Sequence, residues 1–162
     1  MTIPSPTECV TLAALAQALD VADHGQRMAW LAELSRKELR AMYELAEDGP
    51  ELQVSHFHST TGQVVIHHGQ NSLPAFNSFQ KRVVDNNGDL QGYNHQTLSW
   101  FTGPGHFTLR QDGSEVIFDY INEPGQTFDA FPPLKSNTSG MSTLVYGNMI
   151  DRVRRVSAHT VI

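Results

Sequence analysis

The sequence predicts an α+β protein in which a short N-terminal segment of three helices packs on a curved antiparallel β-sheet or barrel. The first observation is that apolar residues of the first fifty positions recur at three- and four-residue intervals behind helix-start signatures. The second is that short strand-like runs follow Pro50, separated by Gly, Asn, Asp and Pro. We therefore expect a helical segment over residues 1–50 and a β-rich body over 51–162, forming one integrated domain.

Three helix starts follow one another in the helical segment. The runs "SPTE", "DHGQ" and "SRKE" each place a capping residue three positions before a glutamate or glutamine that can reach back to it. Gly49 and Pro50 end the last helix, because proline cannot continue the hydrogen-bond ladder. The predicted strands of the body are "QVSHFHS", "QVVIHHG", "QTLSWFT", "HFTLRQ" and "EVIFDYI". The link "NSLPAFNSFQKRVV" is open between helix and strand, and "TLVYGNMIDRVRRV" predicts a helix in which Asp151 pairs with Arg155.

Composition narrows the class of protein. A hydrophobic fraction of 40% predicts a folded chain, and a net charge of −6 argues against nucleic acid as a partner. The N-terminus lacks a signal-peptide pattern and no apolar run approaches ~18 residues. We therefore expect a cytoplasmic protein that binds no membrane.

Cys9 is the single cysteine, so no internal disulfide forms. The final "HTVI" predicts a strand, either paired in the sheet or continuing into further chain.

Four histidines lie between residues 55 and 69. A hairpin with the loop Thr60 to Gly62 would place His56, His58 and His68 on one face, and a shorter loop would exchange His68 for His67. Three histidines with an open position are the ligand set of a catalytic divalent metal such as zinc, which is the cofactor that the sequence suggests. The simpler interpretation is that they are partly exposed strand residues.

The same fragment resembles the first cupin motif. In that motif His-x-His precedes a glutamate and then a glycine, and here His56 and His58 precede Gln63 and Gly69. Glutamine replaces the carboxylate ligand and no second motif follows at the usual spacing, so the chain is not assigned to that family.

A second hairpin supplies an acid–base candidate. Either Asp112 and Gly113 or Gly113 and Ser114 can form its loop, and Asp-Gly is the stronger turn signal. With Asp112 and Gly113 as the loop, His106 would face Asp119 and Arg110 would face Glu115. A carboxylate beside an imidazole raises the basicity of that imidazole, so His106 and Asp119 are the predicted catalytic pair. A sheet-surface hydrogen bond is the alternative.

Aromatic and amide side chains, with a long loop, suggest a ligand pocket. The loop over residues 122–141 has no periodicity, and Phe128, Phe131 and Leu134 could cover the mouth of a curved sheet while Lys135 attracts a carboxylate. The predicted ligand-binding residues are rings and one amide: Tyr93, Asn94, Trp100, Phe107, Phe118 and Tyr120.

Three functions follow from these patterns. The leading hypothesis is a protein that binds a small, partly apolar molecule within the curved sheet. The second is an enzyme that uses the histidine metal site or the pair of His106 and Asp119. The third is a module that docks a protein partner, such as a second copy in a homodimer, through the N-terminal helices; exposure of Trp30 and Tyr43 would favour it.

Overall fold

A computed structural model describes residues 2–9, 11–71, 78–97 and 99–162. It divides into two compact units. The first comprises residues 1–52, 113–115 and 153–162, and the second comprises residues 53–112 and 116–152. The C-terminal residues and the turn at 113–115 thus belong with the helices, and the remaining residues after position 52 form the second unit.

The first unit is built from three helices of equal length, α1 (Leu12–Val21), α2 (His24–Glu33) and α3 (Arg36–Leu45). Complete capping boxes begin α2 and α3, so these starts lie where the sequence predicts them. In contrast, α1 begins behind Thr11 rather than Ser5. The core of this unit consists of the buried side chains of Leu15, Leu19, Met42, Ala46 and Val156.

The cap of α3 allows a direct test of local stabilisation. The Ser35 hydroxyl accepts from the Glu38 amide at 3.3 Å, while the Glu38 carboxylate accepts from the Ser35 amide at 2.9 Å. Hydrogen bonds from Ser35 and Ser5 lower the pKa of Glu38 to about 2. We expect Ser35→Ala to lower the free energy of unfolding by about 1 kcal/mol and Ser35→Gly by only a few tenths. Urea titrations of both variants check this order, and equal losses would contradict it.

The second unit contains a six-stranded antiparallel half-barrel with strands in the order β1-β2-β3-β4-β5-β6. The strands are β1 (Val65–Gln70), β2 (Ser78–Asn86), β3 (Asp89–His95), β4 (His106–Asp112), β5 (Glu115–Asp119) and β6 (Ile150–Val153). Short helices α4 (Ser99–Thr102) and α5 (Ser142–Tyr146) lie between strands. The predicted α+β class, a helical segment followed by a curved antiparallel sheet, is confirmed.

The register of the sheet separates two sets of side chains. Asn87 and Gly88 join β2 to β3 with φ of 56° and 97°, the left-handed conformations that a tight two-residue hairpin requires. Lys81 then pairs with Asn94, and Arg82 pairs with Tyr93. Because neighbouring residues of a strand point to opposite faces, Lys81 and Asn94 share one face and Arg82 and Tyr93 share the other.

Several predicted elements are wrong. Residues Val54–His56 form a 3₁₀ turn, and β1 pairs with β2, so the predicted histidine hairpin does not form. The amide of Val54 donates to the side chain of Gln111 at 3.1 Å, a long-range contact that a local pattern does not reveal. The run "QTLSWFT" carries α4 instead of a strand. In "TLVYGNMIDRVRRV" a helix is present only at the start, as part of α5, and Asp151 lies in β6 rather than in a helix with Arg155.

Within the described ranges, no helix is both long enough and apolar enough to cross a membrane.

Candidate functional site

The candidate site lies on the face of the sheet that carries Lys81. Its neighbours in β2 on that face are Phe79 and Val83, so a lysine takes an inward position in an otherwise apolar row. The register adds Asn94 from β3 beside it. Only 13% of the Lys81 side chain is exposed. A cation held this deeply requires partners, because removing a charge from water is costly.

Three polar groups meet the Lys81 ammonium. Its Nζ atom donates to the Asp151 carboxylate at 3.0 Å and to the Tyr120 hydroxyl. The Asn94 side-chain oxygen lies 3.5 Å from the same nitrogen, and the Asn94 amide donates to Tyr120 at 2.8 Å. Lys81, Tyr120, Asp151 and Asn94 therefore form one hydrogen-bonded network, which we call the lysine network.

Aromatic rings complete the surroundings of the ammonium. Nζ lies 4.5 Å from the ring centroid of Phe118 and 5.0 Å from those of Phe107 and Tyr120. Rings at these distances stabilise a cation through their negative faces. Phe107 packs edge-on against Phe118 at 5.1 Å and against Tyr120 at 5.2 Å. The ring cluster therefore fixes the position of the charged group.

Burial sets the protonation behaviour of the network. Burial lowers the pKa of Lys81, and the Asp151 carboxylate opposes that change. Burial also raises the pKa of Tyr120 well above its usual range, and the negative charge of Asp151 acts in the same direction. Tyr120 is therefore a neutral hydroxyl group at neutral pH. The Lys81 nitrogen and the Asp151 carboxylate lie at salt-bridge distance, 3.0 Å apart.

A cavity of about 290 Å³ opens onto the lysine network. It is lined by members of the network together with apolar and further polar side chains, and its lining residues are Asn71, Phe79, Lys81, Asn94, Gln96, Thr102, Tyr120, Val145, Tyr146, Met149 and Asp151. We call this cavity the lysine pocket. Its volume is near the lower end of the range for small-molecule sites.

Tyr146 and Gln96 form a second polar pair in the wall of the lysine pocket. The Gln96 amide donates to the Tyr146 hydroxyl at 2.9 Å and to Thr102 at 3.1 Å. The Tyr146 ring stacks on Tyr120 with centroids 5.4 Å apart and an angle of 10° between the planes. Gly105 has φ of 58° and permits this approach, because a methyl group there would lie 2.5 Å from the Tyr146 ring.

The predicted ligand-binding residues take different positions. Asn94 and Tyr120 line the lysine pocket, and Phe107 and Phe118 contact Lys81. Tyr93 lies on the opposite face, where its hydroxyl accepts from Arg82 at 3.3 Å. Trp100 in α4 is 77% exposed and packs beside Phe101 at 5.6 Å.

The long loop packs on the face opposite the lysine pocket. Phe131 is buried against Val84 and Tyr93, and Phe128 packs on the same group. Leu134 is 41% exposed and Lys135 is also exposed. These two aromatic side chains therefore pack on the sheet away from the lysine pocket.

The predicted pair of His106 and Asp119 has a different geometry. Strand β4 ends at Asp112 and β5 begins at Glu115, so the loop is Gly113 and Ser114, and the register shifts by two residues. His106 therefore does not face Asp119, and its Nε2 atom lies 3.4 Å from the Pro133 carbonyl oxygen. Burial lowers the pKa of His106.

Asp119 is held by groups of its own loop. Its carboxylate accepts from the Asn122 amide at 3.0 Å and from the Asn122 side chain at 2.8 Å. Burial acts to raise the pKa of Asp119, but the hydrogen bonds from Asn122 and Ile121 lower it overall. The same shift changes the partner of Arg110, which was predicted to pair with Glu115. The Arg110 guanidinium instead lies 3.6 Å from the Asp119 carboxylate.

The histidines predicted as metal ligands do not converge. His67 approaches His56, with ring centroids 6.4 Å apart, and its Nε2 atom lies 3.0 Å from the Phe57 carbonyl oxygen. His58 contacts the Ser59 carbonyl oxygen through Nδ1 at 3.0 Å. Across the described residues, no group of three or more His, Cys, Asp or Glu side chains is placed to hold a metal ion.

Sequence reasoning did not identify Lys81, Asp151 or Tyr146 as site residues. A signal for Lys81 exists in "FQKRVV", where a lysine occupies the position between two inward apolar residues of an alternating strand. Asp151 lies 70 residues further along the chain, and no local pattern connects the two.

Comparison with known proteins gives no match among family models, curated proteins or solved structures.

Proposed function

We propose that this protein binds a small, neutral and partly apolar molecule in the lysine pocket. The observation that carries the proposal is a cavity with apolar walls that ends on a buried hydrogen-bonding network. Few polar groups converging in an otherwise apolar cavity are typical of small-molecule sites, in which the apolar wall supplies affinity and the polar groups orient the ligand.

The charges of the network favour a neutral ligand over an anion. Asp151 already neutralises Lys81 at 3.0 Å, so an incoming carboxylate would meet the Asp151 charge as well as the ammonium. A carbonyl or hydroxyl group makes hydrogen bonds to Lys81 or Tyr120 without adding a charge. Carboxylate ligands, which the sequence suggested through Lys135, are therefore the weaker class for this pocket.

The rim of the pocket is consistent with a partly apolar ligand. Val145 in α5 lines the cavity and is 41% exposed, and the adjacent Leu144 is 78% exposed without lining it. Val145 is therefore the position at which a larger side chain should block the cavity, and Leu144 is its matched control.

Binding is measured by native mass spectrometry and thermal shift with alcohols and carboxylates of the same skeleton. We expect benzyl alcohol and hexanol to bind at least tenfold more tightly than benzoate and hexanoate. We expect Val145→Trp to weaken alcohol binding at least tenfold, because the indole would occupy the entrance, and Leu144→Trp to leave it unchanged. Equal binding by both variants, or no binding by the wild type, would refute the proposal.

Docking of a protein partner through the N-terminal helices would be favoured by exposed Trp30 and Tyr43 side chains, and neither is fully exposed. Trp30 is half-buried and donates to the Pro4 carbonyl oxygen at 3.2 Å. Tyr43 is also half-buried, with the Arg154 guanidinium 4.0 Å from its ring centroid.

A further inference from the structure

We propose that Lys81 captures aldehydes or ketones in the lysine pocket as an imine, an activity that rests on the proposed small-molecule binding and specifies its ligand class. Among the described residues that line the cavity, Lys81 alone carries a primary amine. The chain has two other lysines, Lys37 and Lys135, and both are exposed. The three therefore differ in environment within one molecule, which makes the proposal testable without a variant.

The network supplies the groups that imine formation needs. A carboxylate beside the ammonium can take its proton, and Asp151 lies 3.0 Å from Nζ. A hydroxyl group beside the amine can protonate the carbonyl oxygen during attack, and Tyr120 contacts the same Nζ atom. Both groups are already in place, which avoids the entropic cost of assembling them.

The step balances in atoms and charge. Asp151 accepts a proton from the ammonium, and the nitrogen lone pair then forms a C–N bond to the carbonyl carbon. The carbonyl π electrons move to oxygen, which takes a proton from Tyr120, while the nitrogen returns one proton to Tyr120. The C–O bond then breaks, the protonated Asp151 supplies the second proton of the departing water, and the nitrogen lone pair forms the C=N bond. An ammonium and a carbonyl compound become a protonated imine and water.

The environment suits the product as well as the reactant. The protonated imine carries the same positive charge at the same nitrogen, so its attraction to Asp151 is kept and no charge is left unpaired in the cavity. The rings of Phe107 and Phe118 face the cation before and after the reaction. Burial lowers the pKa of Lys81, which raises the fraction of nucleophilic amine relative to that of an exposed lysine.

The cavity volume sets the size of the carbonyl compound. At about 290 Å³ it is roughly twice a cavity of ~150 Å³ that accommodates benzene. One aromatic ring with a short side chain, or an aliphatic chain of similar volume, therefore fits. Benzaldehyde and hexanal are suitable probes, and benzyl alcohol and hexanol are their unreactive counterparts.

The test is reductive trapping of the full chain at neutral pH. Sodium cyanoborohydride reduces an iminium ion to a stable secondary amine, and peptide mass spectrometry then measures the labelling rates of Lys37, Lys81 and Lys135. We expect benzaldehyde to label Lys81 at least tenfold faster than either exposed lysine, and benzyl alcohol to suppress labelling at Lys81 alone. We expect Tyr120→Phe to slow labelling of Lys81 by at least tenfold more than it weakens the binding of benzyl alcohol, because the hydroxyl contributes one hydrogen bond to the ligand but is the proton donor of the reaction.

The outcomes separate this inference from the proposed function. If benzyl alcohol binds but Lys81 is labelled no faster than Lys37 and Lys135, the imine proposal is overturned and ligand binding stands. If neither the alcohol nor the aldehyde occupies the pocket, both fail. If Tyr120→Phe folds, binds the alcohol and is labelled at the wild-type rate, the role of Tyr120 as proton donor is overturned.

Discussion

Asp151→Asn is expected to lower the free energy of unfolding by about 3 kcal/mol at neutral pH, because it leaves the Lys81 ammonium without its anionic partner. Only 13% of the Lys81 side chain is exposed, so water compensates only in part for the lost carboxylate. Since 35% of the Asp151 side chain is exposed, we place the effect at the lower end of the range for breaking buried ion pairs. Chemical denaturation measures the loss.

The same variant should show a characteristic pH dependence. Burial lowers the pKa of Lys81 in the folded protein, and Asp151 opposes this, so the pKa falls further in the variant. An amine whose folded pKa is lowered costs stability below that pKa, and the cost disappears as pH rises towards the unfolded pKa of about 10.4. The free energy of unfolding of Asp151→Asn, relative to the wild type, should therefore rise between neutral pH and about pH 10.

Asp112→Asn is the matched control. Asp112 pairs with Arg152 at 2.8 Å, but the two side chains are 42% and 50% exposed. Exposed pairs contribute little, so this variant should lie within about 1 kcal/mol of the wild type. If Asp151→Asn is no more destabilising than Asp112→Asn, and its stability does not rise with pH, then Lys81 does not depend on the carboxylate.

Gly92→Ala is expected to lower the free energy of unfolding by at least about 2 kcal/mol, because the sheet has no room for a side chain at this position. A methyl group on Gly92 would lie 2.5 Å from the Arg82 carbonyl oxygen and 2.5 Å from the Phe107 ring. One of these neighbours is backbone in the paired strand β2 and cannot turn away. Chemical denaturation measures the loss of stability, and alcohol binding to the folded fraction measures any change in the lysine pocket.

The control and the rescue for this position come from the same unit. Gly125 has no atom within 4 Å of an added methyl group, so Gly125→Ala should change stability by less than about 0.5 kcal/mol. Phe107→Leu should recover part of the loss in a Gly92→Ala background, giving a favourable interaction in a double-mutant cycle. Strictly additive losses would show that Phe107 is not the residue that resists the methyl group.

The parts of the fold that local sequence decides were predicted well. The caps at Asp23 and Ser35 and the strands in "QVVIHHG", "HFTLRQ" and "EVIFDYI" depend on neighbouring residues, and the structure places elements there. The predicted histidine hairpin does not form, and Val54, at the start of its expected first strand, instead donates to Gln111, far along the chain. A shift of the turn by one residue, from Asp112 and Gly113 to Gly113 and Ser114, was enough to separate His106 from Asp119.

The candidate site was predicted only in part, for a related reason. Asn94 and Tyr120 were expected as ligand residues from composition alone, and both line the pocket. Lys81 gave a readable signal as a charged residue in an inward row, yet its partner Asp151 was assigned to a helix facing Arg155. Ion pairs that join distant segments depend on the curvature of the whole sheet, and the periodicity of a local segment does not reveal them.

Strand order gives the contact between Lys81 and Asp151 a kinetic meaning. Lys81 belongs to β2 and Asp151 to β6, and three strands separate them in the sheet. Their side chains meet only after the sheet has curved enough to bring β2 and β6 close together across its concave side. The lysine pocket should therefore become able to bind ligand late in refolding. A ligand bound in the pocket should stabilise the folded state and slow unfolding.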